Sequence, residues 1–200
     1  LLSRRQRQMC IRDRNLRSER MAGFQLLDLQ DYPGQGSAYV GILDAFMDSK
    51  GLIEPKKWRE FCCEVVPLLT TAKFCWIGQE IFEGNVEIAN YGEHSLKGKS
   101  VSWELKTGKR SLGKGKMLVP SGLGLLTAGT IRLTLPNLEK AYKAELSLKI
   151  AGTSYRNTYS LWIYPAKKQL NTEGIVVARQ LTDEVLSALK QGGKVLLMPG

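Results

Sequence analysis

Apolar and polar residues alternate with a period of two through much of the stretch from about Ala72 to Pro165. The pattern is clear in Val101-Ser-Trp-Glu-Leu105, Ile131-Arg-Leu-Thr-Leu135 and Ala144-Glu-Leu-Ser-Leu-Lys-Ile150. A period of two buries one face of a strand and wets the other. Strands are predicted at Lys73–Ile77, Asn85–Ala89, Lys99–Thr107, Gly113–Val119, Gly129–Leu135, Lys143–Ala151 and Thr153–Tyr164. Turn signals separate them: Asn90-Tyr-Gly-Glu-His-Ser95, Thr107-Gly108, Pro120-Ser-Gly122, Pro136-Asn137 and Gly152. About seven short strands over such a length predict an immunoglobulin-like β-sandwich. No Cys–Trp–Cys pattern marks it as an antibody-type domain.

The flanks read differently. Gln25 to Leu29 is mostly apolar and runs into the polar, glycine-containing stretch Gln30-Asp-Tyr-Pro-Gly-Gln-Gly36. A buried strand carrying polar groups at its C-terminal end before a helix is how a (β/α)8 barrel presents residues to substrate. Ser37 to Asp48 predicts that helix. Ser37 is its N-cap, Val40, Leu43, Ala45 and Met47 are its apolar positions, and Gly51 is its stop. A second helix is predicted from Pro55 to about Glu64, with Trp58, Phe61, Cys62 and Val65 on one face and Pro67 ending it. At the other end Gly174–Ala178, Asp183–Leu189 and Lys194–Met198 predict a β-α-β opening of a parallel sheet.

Charge changes the picture at the N-terminus only. Residues 1–20 hold seven Arg and no Lys against Asp13 and Glu19, which is half of the net charge of +10. The segment has no apolar periodicity and resembles translated sequencing-adapter sequence, so residues 1–15 are expected to be non-native or disordered and are set aside. The remaining charge is mild. Lys97 to Lys116 is basic, but a nucleic-acid face would interleave aromatics. A sandwich edge protected by lysines accounts for it, and no nucleic-acid partner is expected. No apolar run approaches the roughly 18 residues of a membrane span.

Candidate chemistry is sparse. Cys10, Cys62, Cys63 and Cys75 form no CxxC and no metal spacing with His94, so buried free thiols and no metal are expected. Gly113-Lys-Gly-Lys-Met117 fails the phosphate-loop pattern and no helix follows it; no cofactor is expected. Trp103 and Trp162 alternate with apolar partners and read as core, Trp58 and Trp76 as core or interdomain residues. Asp28, Gln30, Asp31 and Gln35 are the candidate substrate-binding residues. Each can bond sugar hydroxyls, and each can equally satisfy loop backbone or cap a helix. Asp28 and Asp31, three apart on a strand, face opposite ways and make a poor catalytic pair.

Gly23-Phe-Gln-Leu-Leu-Asp-Leu-Gln-Asp-Tyr-Pro-Gly-Gln-Gly36, extended to Gly51, resembles the last barrel strand and helix of glycoside hydrolase family 2, the β-galactosidase and β-glucuronidase group. It is most similar to the multidomain forms common in gut Bacteroidetes, and the likeness covers about residues 17–165. The resemblance implies a retaining glycosidase acting on β-linked sugars through two Glu, one after the fourth barrel strand and one after the seventh. Both would lie upstream of residue 1, so no catalytic residue is expected in this chain, and carbohydrate is the partner of the parent enzyme. It also suggests a periplasmic or extracellular setting. The expected fold class is multidomain α/β plus all-β. Residues 16–70 would be the last β/α unit of the barrel and the following helix, 71–165 the sandwich, and 166–200 the start of a further α/β domain. The alternative is a non-catalytic immunoglobulin-like carbohydrate-binding or interaction module.

One β/α unit cannot close a barrel, which leaves Phe24, Leu26, Leu27 and Leu29 short of partners. Hydrogen exchange should therefore show residues 16–68 less protected than 72–165. Equal protection in both segments would defeat the reading of the chain as a barrel's tail.

Overall fold

The computed structural model of the chain describes residues 15–18, 25, 28–34, 39–93, 95–166 and 173–198. They fall into two compact units that divide after Ala166. In the first unit a single helical turn, α1 (Pro55–Trp58), precedes eight strands: β1 (Val65–Thr70), β2 (Cys75–Ile77), β3 (Ile81–Asn90), β4 (Ser100–Thr107), β5 (Arg110–Leu118), β6 (Gly124–Thr134), β7 (Tyr142–Ile150) and β8 (Arg156–Tyr164). They make a three-stranded sheet in the order β1-β3-β6 and a five-stranded sheet in the order β2-β8-β7-β4-β5. The pairings are antiparallel except β2 with β8, which run parallel.

The alternating residues meet between the sheets. Val65, Leu69, Phe82, Val86, Ile88 and Ile131 from the small sheet share one cluster with Val101, Leu105, Leu146, Leu148, Ile150, Leu161 and Ile163 from the large one. The first unit is thus a β-rich, two-layer sandwich with its core between the layers. Its large sheet ends on β5, and Lys114 and Lys116 stand exposed on that edge strand. The same strand explains Gly113-Lys-Gly-Lys. Gly115 lies directly across from Trp103, whose indole nitrogen would sit 2.6 Å from any Cβ added there. The ring covers the glycine, as aromatic side chains do for strand glycines that offer nothing to pack. The hairpin before it turns at Gly108, whose φ of 56° favours glycine.

Three expected elements differ. The helix from Pro55 ends at Trp58, and Pro67 stands inside β1 instead of closing a helix. The Pro67 carbonyl and the Leu69 amide bond to β8 side chains, so the odd-numbered positions of β1 face away from β3. At such a position a missing N–H costs no ladder bond. The helix expected at Ser37–Asp48 is absent over its described residues, 39–48, which form turns and isolated bridges. Asp44 Oδ1 accepts from the amides of Phe46 and Asp48 at 2.9 Å each, a local alternative to helical bonding. Gly41 lies so close to Gln30 and Asp31 that an added Cβ would fall 2.3 Å from a Gln30 backbone carbon. Nor is the strand expected at Gln25–Leu29 formed at Gln25, Asp28 or Leu29. Phe24, Leu26 and Leu27 lie outside the described residues. No barrel is visible among the described residues.

The second unit has β9 (Ile175–Ala178), α2 (Asp183–Lys190) and β10 (Lys194–Leu197), with β9 and β10 paired in parallel as the β-α-β pattern predicts. Thr182 caps α2 by accepting from the Val185 amide, and Asp183 and Glu184 sit in its first turn, where the helix dipole favours acids.

A core truncation separates inside from outside. Leu146→Ala, at a fully buried β7 position, should lower unfolding free energy by about 2–5 kcal/mol in urea titration. Leu118→Ala, on a side chain 75% exposed, should stay within about 0.5 kcal/mol.

Candidate functional site

The four candidate residues meet different fates. Asp31 is buried, and its carboxylate closes a loop on itself. It accepts from the Gly41 amide at 2.8 Å and from Lys50 Nζ at 2.8 and 2.9 Å. Lys50 also donates to the carbonyls of Tyr39 and Gly41, both at 3.2 Å. Backbone bonds from Ile42 and Leu43 to Leu29, and from Asp31 to Leu43, complete the knot. Three hydrogen bonds occupy this buried carboxylate, two on Oδ1 and one on Oδ2. Gln30 is exposed beside it, bridged to Leu43, and Asp28 is half-buried. Gln35 lies outside the described residues, as do His94 and residues 1–14. The structure therefore brings Gln30 and Asp31 together on one loop and gives Asp31 a bracing task.

A second constellation lies where the segment after α1 meets the β7–β8 hairpin. Glu60 is buried there, an unusual place for a carboxylate unless it is paired. Thr158 Oγ1 donates to it at 2.6 Å, Lys57 bonds to both Glu60 and Thr158, and Arg156 Nε stands 3.4 Å away. One turn on, the Tyr155 hydroxyl donates to Glu64. That acceptor bond, with some burial, pushes the tyrosine up to about 12. Burial pushes the neighbouring Cys63 thiol up despite its bond to the Val65 carbonyl. A thiol held protonated is not an activated nucleophile. These side chains border a groove of about 700 Å³ lined by Lys56, Arg59, Glu60, Glu64, Lys149 and Arg156, among others. The pattern of residues gave little notice of it. Lys57 and Glu60 are three apart, but Glu60 and Thr158 are separated by 98 positions.

Cys62 and Cys63 are free and half-buried, and Cys75 is free and exposed, so the expectation of buried thiols is corrected. Among the described residues no group of three or more His, Cys, Asp or Glu is placed to hold a metal, and no helix is long and apolar enough to cross a membrane.

The aromatic residues also divide. Trp76 is buried edge-on to Phe82 with centroids 5.2 Å apart, and Trp103 packs against the main core. Trp58 stands edge-on to Phe61. Trp162 departs from expectation: it is 43% exposed, on the outer face of β8. Inward positions of β8 are filled by Asn157, Tyr159, Leu161 and Ile163. Trp162 and Tyr164 therefore share the outer face, beside Cys75 and Ile77 of β2. Apolar residues on both faces of β8 concealed which face is core.

Residues 80–165 match a family described as Domain of unknown function (DUF8488), which is less than half of the chain. No curated protein matches the chain. Solved structures similar to part of it include a β-glucuronidase from Parabacteroides merdae, at 13% identity over 50% of this chain and 14% of that one, TM-score 0.34. A β-glucosidase from Listeria innocua matches at 12% identity over 52% and 16%, TM-score 0.35. The sporulation control protein Spo0M from Bacillus subtilis matches at 14% identity over 52% and 49%, TM-score 0.28. The chain spans less than half the length of each. Glycosidases thus stand among its structural neighbours at low identity and partial coverage, and TM-scores of this size carry no argument about activity.

The Tyr155–Glu64 bond has a testable pH signature. A tyrosine whose pKa is raised by folding adds stability that is complete below its unfolded value of 10.0 and is lost as pH rises to about 12. The stability difference between the native chain and Tyr155→Phe should therefore shrink across that interval. Glu64→Gln, which removes the charged acceptor, should move the tyrosinate transition of Tyr155 down in ultraviolet titration. An unmoved transition would show that Glu64 is not its partner.

Proposed function

We propose that the chain is part of a modular glycoside hydrolase of the family 2 type, acting on β-linked glycosides such as galactosides with retention. In this reading the sandwich is a non-catalytic domain that braces the catalytic barrel and spaces its neighbours. The observation that carries it is the run from Gly23 to Gly36 preceding a sandwich in the same chain. The topology supports it. Strand β2 pairs in parallel with the last strand of the large sheet while β1 pairs with β3 in the small one. Such a split first strand, with the remaining order β3-β6 and β8-β7-β4-β5, is an immunoglobulin-like arrangement. Leu29, Tyr32, Tyr39, Phe46 and Met47 are exposed, as apolar side chains of a barrel's last unit would be when the rest of the barrel is not beside them.

The test is the reading frame in the source DNA read upstream across the codon for Met21, followed by expression of the extended protein with that frame in place of the Arg-rich start. Upstream barrel strands ending in two Glu are expected, with hydrolysis of a chromogenic β-galactoside by the extended protein and none by residues 1–200 alone. An upstream frame without them, or hydrolysis by this chain itself, would overturn the proposal. The second reading, a glycan-binding module, is favoured by Trp162 and Tyr164 on one outer sheet face. Aromatic faces suit the C–H faces of sugars, and Trp162→Ala would then abolish a saturable calorimetric signal with oligosaccharide.

A further inference from the structure

The groove between the segment after α1 and the β7–β8 hairpin has a charge pattern that neither reading uses. Four cations line it, Lys56, Arg59, Lys149 and Arg156, against two carboxylates, Glu60 and Glu64. Both carboxylates are already committed. Glu60 is held by Lys57, Thr158 and Arg156, and Glu64 by the Tyr155 hydroxyl. Lys56, Arg59 and Lys149 have no such partner among the described residues, and all three stand exposed at the groove. Free cations converging on a concavity focus a positive potential that a flat surface would not.

We propose that this groove binds an anionic saccharide, a sugar ring carrying a carboxylate or a sulfate. The volume of about 700 Å³ is far more than a bare oxyanion fills and lies in the range of small-ligand sites. Arg59 and Lys149 take the charged group, Arg59 through the planar fork that matches a carboxylate or sulfate. The ring hydroxyls find the Ser154 hydroxyl, and the partly buried Tyr155 ring forms one wall. The site stands apart from the outer-face aromatics and does not depend on the parent's being a glycosidase, because binding is read on this chain directly.

The experiment titrates the whole chain with glucuronate, glucose and inorganic sulfate, following amide shifts by NMR. Glucuronate should saturate with a Kd of about 1 mM, shifting residues 56–64 and 149–156, while glucose leaves them unmoved. Affinity should weaken as salt rises, since the contacts are exposed. Arg59→Gln and Lys149→Gln should each weaken glucuronate by about tenfold. Both replace exposed side chains, and an unchanged melting temperature would show that the fold is intact. Glucuronate binding that is absent, matched by glucose, or insensitive to both substitutions would overturn the proposal. Inorganic sulfate binding as tightly as glucuronate would also overturn it, because the groove would then hold an adventitious ion only.

Discussion

The sandwich depends on how β1 is held at its open edge. That strand pairs with β3 on one side only, which leaves the outward backbone groups of its odd positions needing partners. The opposing sheet supplies two of them, and the Arg17 guanidinium donates to the Leu69 carbonyl. Asn157 donates to the Pro67 carbonyl at 3.0 Å, and the Tyr159 hydroxyl accepts from the Leu69 amide at 3.1 Å. Asn157 also donates to that hydroxyl at 2.9 Å, so the two side chains act as one unit. A buried amide left unpaired costs about 1–3 kcal/mol, a large share of the stability of a small domain. The same bonds fix the relation between the layers, because β1 belongs to one sheet and β8 to the other. The proline fits this scheme: it removes a donor at an outward position where Asn157 offers a donor and no acceptor is waiting.

The groove follows from that constraint. Pinning β1 against β8 brings the chain just before β1, with Glu60, Cys63 and Glu64, onto the start of β8, with Tyr155, Arg156 and Thr158. Glu60 then finds itself enclosed and needs cations, which Lys57 and Arg156 provide on either side. An isolated buried carboxylate would be strongly destabilising, so the pairing is a condition of the fold before it is anything else. The cations left over are the ones free to meet a ligand's charge.

What was legible in the amino-acid order is what a period of two can encode. Strands β4 and β7 form where the alternation places them, β6 does so over its second half and starts five residues earlier, at Gly124, and the turns fall at Gly108 and Gly152. Strand β1 was hidden because Val65-Val-Pro-Leu-Leu69 is apolar on both faces and contains a proline. Its inner side faces the main core, while Val66 and Leu68 join Ala89 and Leu16 in a smaller cluster on the other side of the sheet. A strand buried on both faces has no period to read. The segment 39–48 carried helical spacing and helical ends, but a short helix in water is marginal without a face to bury. Lys50 reaching back to Asp31, and Asp44 holding its own amides, offered the backbone a competing set of bonds. Those contacts join residues 19 apart, beyond what local spacing registers.

Strand β8 shows how much one strand can be asked to do. Leu161 and Ile163 close the core, Asn157 and Tyr159 tie the layers, Arg156 and Thr158 hold Glu60, and Trp162 and Tyr164 face outward. Inward positions of a strand are constrained by volume and hydrogen-bond geometry together, so few substitutions at Asn157 or Tyr159 would leave the layers registered. The outward positions past Thr158 carry no such demand. An outer face needs only polarity to be stable, and Ser160 on the same face shows that a small polar residue is accommodated there. Trp162 and Tyr164 thus leave large apolar surface in water at positions where the fold does not require it. Packing therefore accounts for the inner face of β8, while the outer pair adds nothing to the core, and its reason has to be sought in what the sheet meets.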